Sequence, residues 1–351
     1  MEKITLELET VTPLFIAGAD QRNIENEGLR PPSLRGLLRW WFRAIAGGFL
    51  DSVNALKIKE NELFGSTIKK SAINIIMKEN DVKRDTFNNI MNNVIKFGGK
   101  DLGQRYLWFS MTYGGNERRE VYLPRSSFTL TICSDNKDKL NLALGALWCV
   151  IYLGGIGTRS RRGAGNLKVT SPERVNKLDF VFKGNTINEA KDFIETNLKN
   201  IFTQYSDFCE GTGQINGICI LKKGFSEISL VNVEFNDFKD ALSYIGRKYL
   251  EYRVSLRPPQ KRYILGLPII RGKGLSPLEY KGEKLYALRQ SSPLFFGVMD
   301  LNGKYAIRIT KFLTSIHFKF KKDQERVKYH LKDFDSNMNE IQVSIPEVTT
   351  K

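Results

Sequence analysis

Segments with strand periodicity and segments with helix periodicity follow one another along the whole chain of 351 residues. Alternating and β-branched runs predict strands, whereas apolar residues repeating every 3.6 positions predict helices. This succession predicts the α+β class. In the first half the predicted strands are 4–11, 71–77, 106–112, 128–133 and 166–170, and the predicted helices are 34–46 and 139–153.

A polar break at 171–177 divides the chain, and the same kinds of segment resume after it. The sequence therefore predicts two domains, 1–172 and 173–351, the second with a helical tail. Asn302-Gly303 is a strong hairpin signal between the last two predicted strands. The strands predicted in this half are 217–222, 227–235, 263–270, 292–300 and 305–312, and the helices are 187–205 and 237–253.

A short internal similarity bears on how the two halves arose. Pro-Leu-Phe occurs at 13–15 in "VTPLFIAG" and again at 293–295 in "SSPLFFGV". Three identities fit either an internal duplication or coincidence in an aliphatic chain.

The charge of the chain favours an anionic partner. Lys and Arg total 54 against 38 for Asp and Glu, a net charge of +16. Such an excess is typical of proteins that bind nucleic acid or an anionic surface. The most apolar window, 140–155, is shorter than the roughly 20 residues that span a bilayer, and the amino terminus carries acids, so we expect a cytoplasmic protein.

Histidine and cysteine are sparse. Only His317 and His330 are present, and the four cysteines form no C-x-x-C pair. We therefore expect no disulfide, no metal site and no cofactor. Histidine is also the commonest general acid or base, so nothing in the sequence positively indicates catalysis.

A row of arginines marks the first predicted helix. "LRPPSLRGLLRWWFRAIAGG" at 29–48 places Arg35, Arg39 and Arg43 four residues apart, with no acidic residue between Glu27 and Asp51. Ser33 is the expected N-cap, and the glycine pair at 47–48 the expected end. Leucine, tryptophan and isoleucine occupy the opposite face, so this pattern favours an anion-binding face over an ordinary solvated one.

A second cationic segment follows the apolar helix. "GGIGTRSRRGAGNLKV" at 154–169 combines five glycines with three arginines. Glycine lets backbone N–H groups and basic side chains come close to an anion. The Walker pattern and G-x-G-x-x-G are both missing, which disfavours a nucleotide cofactor.

Four motifs in order carry a family resemblance: "TPLFIAGADQRN", "LRPPSLRGLLRWWFRAI", "ELFGS" and "GGIGTRSRRGAGNL". Together they resemble the RAMP superfamily of CRISPR proteins, and within it the first-subunit family of the type III-B Cmr effector complex. The resemblance lies mostly in the first half. It implies two ferredoxin-like, RRM-related domains, and a thumb-like insertion could lie at 78–104.

The resemblance also implies a function. It implies a non-catalytic subunit that caps the effector near the 3′ end of the guide RNA (crRNA) and helps to capture target single-stranded RNA, with other Cmr subunits as partners, no membrane and no small-molecule substrate. The expected RNA contacts are Arg22, Arg30, Arg35, Arg39, Trp40, Arg43, Gly155, Gly157, Arg159, Arg161, Arg162, Gly163 and Lys168.

Three interpretations stay open at this point. The alternative to a binding subunit is a metal-independent endoribonuclease that processes guide precursors, using Tyr or Lys near the glycine segment. A weaker alternative is a peripheral protein on anionic lipid. We further expect Arg39→Ala and Arg161→Ala to weaken RNA binding while leaving stability unchanged, with Arg326 as a silent control.

Overall fold

The computed structural model describes most of the chain. The residues described are 1–20, 22–25, 28–95, 102–112, 118–211, 213, 215, 218–257, 262, 264–266, 270–271, 274–275, 278–280, 283–285, 291–313, 316–318, 327–329 and 338–348. They form a mixed α/β structure with antiparallel sheets.

The first half builds a four-stranded antiparallel sheet in the order β2-β5-β1-β6. Two long helices connect its strands, and they pack against each other. The elements in chain order are β1 (Glu2–Thr10), α1 (Pro31–Ala46), α2 (Val53–Phe64), β2 (Asn74–Glu79), β3 (Arg84–Thr86), α3 (Phe87–Ile95), α4 (Leu102–Leu107), a 3-10 helix (Phe109–Thr112), β4 (Glu120–Tyr122), β5 (Ser127–Ser134), α5 (Lys137–Tyr152) and β6 (Leu167–Ser171).

The second half repeats that strand order in the sheet β14-β15-β9-β18. In both sheets the strands that come second, third, first and fourth along the chain lie side by side. The elements are β7 (Arg174–Val175), β8 (Leu178–Asp179), α6 (Ile187–Phe208), β9 (Ser226–Val231), α7 (Phe238–Ser255), β10 (Ile270–Arg271), β11 (Gly274–Leu275), β12 (Leu278–Tyr280), β13 (Glu283–Leu285), β14 (Leu294–Asp300), β15 (Tyr305–Phe312), β16 (Ile316–Phe318), β17 (Val327–Tyr329) and β18 (Glu340–Val343).

The segments with the strongest sequence patterns form the strands, helices and hairpin that were predicted for them. β1 alternates as predicted, because Leu6 and Leu8 are buried whereas Glu7 and Glu9 are half-buried. The predicted helix at 139–153 is α5, which begins after Asn136, whose side chain accepts from Lys139 N at 2.9 Å. The hairpin at 302–303 joins β14 to β15, and both of its residues have positive φ, as a type I′ turn requires.

Four expectations about secondary structure are wrong. The segment 106–112, rich in aromatic residues, forms α4 and the 3-10 helix, because α4 packs against α7. No strand occurs in the described part of 217–222, and of the residues described in 263–270 only Ile270 belongs to a strand. The described part of the tail consists of strands and extended chain, since β18 adds to β9; His330 lies outside the described residues.

Elements of the two halves pack against each other across the predicted domain boundary at 172–173. The boundary itself stays a prediction. α6 packs against α5 of the first half and β18 of the second. α4 approaches α7 so closely that a Cβ added at Gly103 would lie 2.0 Å from the carbonyl oxygen of Ser243. The expected insertion at 78–104 begins with the last two residues of β2 and otherwise lies in 80–126, the connection between the neighbouring strands β2 and β5.

Candidate nucleic-acid interface

The apolar side of the arginine helix is buried inside the protein. Leu34, Leu38, Trp41 and Ile45 are each at most 4% exposed. This face therefore cannot serve as a membrane-inserting surface. None of the helices in the described residues combines the length and the apolar character needed to cross a bilayer.

The helix starts earlier than expected. It begins at Pro31, and Arg30 is the N-cap, without a side-chain cap. Proline suits the first helical position because it has no N–H to satisfy and its φ is already near the helical value. The expectation that Ser33 caps this helix is therefore wrong, since Ser33 lies in the first turn.

The expectation that the arginine row lacks an acidic partner is also wrong. Glu60 of α2 is 6% exposed, and its Oε1 accepts from Arg39 Nη1 at 2.8 Å and from Arg43 Nη1 at 2.9 Å. Arg39 Nη2 also donates to the carbonyl oxygen of Phe64 at 3.0 Å and to that of Gly65. These contacts fix α1 against α2, and the Arg43 side chain keeps 41% of its surface exposed.

Arg35 and Trp40 lie on the same helix. Arg35 is half-buried, and its Nη2 is 3.3 Å from the carbonyl oxygen of Ile73. Trp40 is half-buried among aromatic rings of the second half, with its ring centroid 5.2 Å from Phe295 and 5.4 Å from Phe312. These contacts make Trp40 part of the interface between the first and second halves of the chain, which we call the joint.

The glycine-rich loop, residues 154–165, owes its path to its glycines. Gly157, Gly163 and Gly165 have positive φ values, which L side chains rarely adopt. A Cβ added at Gly165 would lie only 2.0 Å from the carbonyl oxygen of Ile156. Gly155 is less confined, because its Cβ would lie 3.2 Å from the carbonyl oxygens of Ala164 and Gly165, a tight contact. Close backbone packing thus requires glycine here.

Both Pro-Leu-Phe segments contact this loop, one on each side. Thr158 N donates to the carbonyl oxygen of Phe15 at 2.6 Å, and Phe296 N donates to that of Arg161 at 3.2 Å. Along the chain, the first segment follows β1, which is the first strand of the first sheet. The second segment lies at the start of β14, which is the second strand of the second sheet. Because these places are not equivalent, the similarity does not align the two sheets as repeats.

Arg161 and Arg162 point from the loop into the second half. Arg162, 8% exposed, donates from Nη1 to the carbonyl oxygen of Leu294 and from Nη2 to the hydroxyl of Tyr249, both at 2.9 Å. Arg161 donates to the carbonyl oxygen of Ser292, and its guanidinium lies 5.2 Å from the centre of the Trp40 ring. Burial lowers the pKa of Arg161 to about 10. Both guanidinium groups are therefore engaged at the joint.

Lys168 joins the same two halves by ion pairs. Its Nζ lies 2.8 Å from Asp300 Oδ2 and 3.0 Å from Glu9 Oε1. Burial by itself would lower the pKa of Lys168, but the hydrogen bonds that Lys168 donates to these two carboxylates raise it above the ordinary value.

The remaining predicted contacts are more open. Arg22 and Arg30 are exposed, and Arg30 Nη2 is 3.3 Å from the carbonyl oxygen of Ala17. Arg159 is half-buried with its guanidinium 5.2 Å from the Phe109 ring centre, and burial lowers its pKa to about 10. A Cβ added at Gly163 would meet Leu242 at 2.3 Å, so this glycine is again a packing position.

A cleft of about 290 Å³ opens where three of the sequence motifs meet. The first turn of α1 forms one wall, the residues after β1 form another, and the beginning of the glycine-rich loop forms a third. Sequence reasoning singled out Arg30 and Gly157 but missed the apolar lining, for which only the "TPLFIAG" motif gave a signal. The lining residues are Phe15, Ile16, Ala17, Arg30, Ser33, Leu34, Leu37, Met77, Ile156, Gly157 and Thr158.

Titratable clusters are few within the described ranges. No group of three or more His, Cys, Asp or Glu residues that could hold a metal ion occurs there. All four cysteines are free, and Cys133, Cys149 and Cys209 are buried.

Comparisons with a family model and with individual known proteins identify the same family. Residues 7–168 match the RAMP superfamily. The CRISPR system Cmr subunit Cmr1-1 of Pyrococcus furiosus is 31% identical over 323 residues, covering 88% of this chain and 87% of that protein. Cmr subunit Cmr1-2 of the same organism is 35% identical over 185 residues, covering 48% of this chain and 96% of that protein.

Solved structures agree in fold. The crystal structure of apo Cmr1 from Pyrococcus furiosus superposes with a TM-score of 0.64 at 27% identity, covering 98% of this chain and 99% of that one. A chain in the cryo-EM structure of the type III-B Cmr-beta complex bound to cognate target RNA gives a TM-score of 0.54 at 17% identity, covering 88% and 94%.

Proposed function

The chain belongs to the Cmr1 family of the RAMP superfamily of CRISPR proteins, and on that premise we propose that it is an RNA-binding, non-catalytic subunit of a type III-B Cmr effector complex. In this role it caps the effector near the 3′ end of the guide RNA and helps to capture target RNA. The cytoplasm is the compartment that such a role implies.

The observation that carries the proposal is the meeting of three motifs at one cleft. The segment after β1, the start of α1 and the start of the glycine-rich loop surround about 290 Å³ of open space, and exposed Arg30 lies at the lining. The chain carries a net charge of +16, which attracts phosphate over a distance. A cleft with an exposed arginine at its lining, on a strongly basic chain, suits single-stranded RNA.

The proposal includes two ferredoxin-like domains. In support, the first sheet follows the succession β1, α1, β2, β5, α5, β6 and places its strands in the order β2-β5-β1-β6. The second sheet has the corresponding order, β14-β15-β9-β18. β-α-β-β-α-β is the element succession of the ferredoxin-like fold, to which the RRM is also related.

The contacts divide the predicted RNA-binding residues into two groups. We assign phosphate contact to the side chains that keep exposed surface, which are Arg22, Arg30, Arg35, Arg43 and Arg159, together with the backbone at Gly157. The other predicted residues are already engaged in packing, and we assign them to the joint between the halves or to the contact between α1 and α2. They are Arg39, Trp40, Gly155, Arg161, Arg162, Gly163 and Lys168.

The partners follow from the relatives. Those relatives are named as Cmr subunits, and one solved chain with this fold belongs to a Cmr complex bound to target RNA. We therefore propose guide RNA, target RNA and other Cmr subunits as the partners of this chain.

The endoribonuclease alternative is not favoured. It needs a Tyr or Lys near the glycine-rich loop that is free to act on RNA. Tyr249 is 5% exposed with its hydroxyl bound to Arg162, and Lys168 is ion-paired with Asp300 and Glu9. Both groups serve the joint between the halves.

Binding of labelled single-stranded RNA at several salt concentrations tests the proposal. Affinity should fall steeply as salt rises, because RNA binding releases counterions. Arg30→Ala should weaken binding to all sequences alike and lower the salt slope by about one phosphate contact. Arg174→Ala is the matched control, since Arg174 lies on the β7–β8 hairpin, is 62% exposed and does not line the cleft.

The outcomes are distinct. An affinity that does not change with salt, or equal effects of the two substitutions, would contradict the proposed surface. Incubating the protein with labelled repeat RNA in EDTA separates the two function classes, because discrete cleavage products would establish the endoribonuclease instead.

A further inference from the structure

We propose that the cleft between α1 and the glycine-rich loop receives one unpaired nucleobase of the bound RNA, so that the chain holds a base as well as the backbone. This inference rests on the proposed function and adds a ligand to its site. It assigns a base-binding role to apolar residues that none of the sequence motifs explained.

The size of the cleft suits one base. Its volume of about 290 Å³ equals that of about ten water molecules at their share of liquid volume, ~30 Å³ each. A flat ring system with part of its ribose fills such a space, whereas a run of stacked bases exceeds it. A base inside a duplex presents only its edges, so the occupant must be unpaired.

The walls suit the faces of a flat ring. Ile16, Leu37 and Met77 are half-buried at the lining, and Ile156 behind them is 4% exposed. Aliphatic side chains attract the faces of every base alike, because apolar contact does not depend on the pattern of hydrogen-bonding groups. The cleft therefore accepts any base.

Aromatic stacking plays no part in this cleft. Phe15 lines it but is 3% exposed, with its ring edge-on to Phe87 at 5.4 Å and to Trp108 at 4.9 Å. The ring is thus committed to the core. This differs from the stacking platform of an RRM, where exposed aromatic side chains hold the bases.

The rim suits the sugar-phosphate on either side of that base. Arg30 is exposed, and of its five N–H donors one is directed at the carbonyl oxygen of Ala17, 3.3 Å away. Gly157 contributes half-buried backbone to the lining, and a Cβ added there would lie 2.5 Å from the carbonyl oxygen of Phe15. Ser33 and exposed Thr158 add hydroxyls to the lining. The apolar lining therefore complements the faces of a base, and the cationic Arg30 complements the anionic phosphate beside it.

The first test combines a cleft-filling variant with RNA that lacks bases. Ser33→Phe places a ring at the lining, and Gly36→Phe adds the same ring to the same helix at an exposed position where a Cβ meets nothing within 4 Å. Each protein is titrated with a short single-stranded RNA and with a ribose-phosphate oligomer of equal length. Loss of the bases should weaken binding by the wild type about tenfold more than binding by Ser33→Phe, which is about the effect of burying the apolar faces of one base.

The second test uses the wild-type protein, so it does not depend on whether a variant folds. Short RNA containing 4-thiouridine is crosslinked by light, and the crosslinked peptides are identified by mass spectrometry. Crosslinks at Met77 or Leu37 are expected, because a base in the cleft touches them. Ala17→Leu replaces Ser33→Phe if circular dichroism shows that the latter is unfolded.

The results separate this inference from the proposed function. If intact RNA binds with the expected salt dependence but base loss affects wild type and Ser33→Phe equally, or crosslinks fall only outside the cleft lining, the base site is wrong and the RNA-binding subunit stands. If the wild type binds no RNA at low salt, both are wrong.

Discussion

Arg39 Nη1 donates to the buried Oε1 of Glu60 across 2.8 Å, so a side chain expected to face phosphate instead holds α1 against α2. Glu60→Gln should lower the free energy of unfolding by about 1 kcal/mol, because the amide oxygen still accepts from Arg39 but without the charge that makes such a hydrogen bond about twice as strong. Urea denaturation measures this. Glu62→Gln, on the same helix and half-buried, is the control, and equal effects of the two changes would show that the ion pair contributes nothing.

Arg161→Ala should also destabilise the protein, contrary to what its sequence context suggested. The guanidinium lies 4.5 Å from the Phe295 ring centre and donates to the carbonyl oxygen of Ser292, so alanine removes packing and leaves an acceptor unpaired. We expect a clear fall in Tm, partly recovered by Arg161→Lys, which keeps the charge but not the planar fork. An unchanged Tm for Arg161→Ala would place this side chain in solvent.

Arg326, which the sequence suggested as a silent control for these changes, lies outside the described residues. Arg174 replaces it because its exposure and its ion pair with Asp179 are known.

Gly165→Ala should disrupt folding, because a methyl group would lie 2.0 Å from the carbonyl oxygen of Ile156 and the φ of +62° is already unfavourable. Gly36→Ala should instead raise stability by up to about 1 kcal/mol, since Gly36 is helical with open space around it. Expression yield and thermal denaturation of the two variants provide the comparison. A stable Gly165→Ala protein would mean that the loop takes another path.

Stability at high pH should report the Lys168 ion pairs. The pKa of Lys168 in the folded protein is raised above 10.5, so its stabilisation is fully present below the unfolded value and is lost as pH rises through the folded value. The unfolding free energy of the wild type should exceed that of Lys168→Met by a constant amount from about pH 7 to pH 9, and the difference should shrink above about pH 10.5. A difference that grows with pH would contradict this sign.

Native thiols should alkylate slowly at pH 8. Burial raises the pKa of Cys219 to about 11 and that of Cys209 to about 12, and it raises the pKa of Cys149 further. Because the thiolate is the reactive form, labelling by iodoacetamide should accelerate as pH rises toward 11, first at Cys219. Protein unfolded in guanidinium should label at all four cysteines at pH 8. Rapid labelling of the native protein at pH 8 would show that the buried segments open readily.

Local pattern was enough to predict the elements with strong periodicity. β15 has the bounds that the sequence predicts, and α1 and α5 lie within three residues of theirs, because each has a clear apolar face. α2 was missed because its charged residues are scattered among few apolar ones, and with it Glu60 was missed as the partner of Arg39, 21 residues away.

Long-range pairing could not be predicted from the same patterns. Nothing in the loop sequence shows that Arg162 bonds to Leu294, 132 residues later. Arginines beside glycines look alike whether their partner is a phosphate or a carbonyl oxygen of the same chain. Two residues of the cleft lining, Arg30 and Gly157, were predicted from the motifs as RNA contacts, whereas Leu37 and Met77 meet there only through the fold.

The strand order of the two sheets sets a schedule for synthesis. The first sheet is complete once β6 has left the ribosome, whereas β9 must await β18, near the carboxyl end. Domains fold as they emerge, amino-terminal part first. Arg161 and Arg162 are therefore synthesised 131 and 132 residues before Ser292 and Leu294, whose carbonyl oxygens accept their hydrogen bonds in the finished fold.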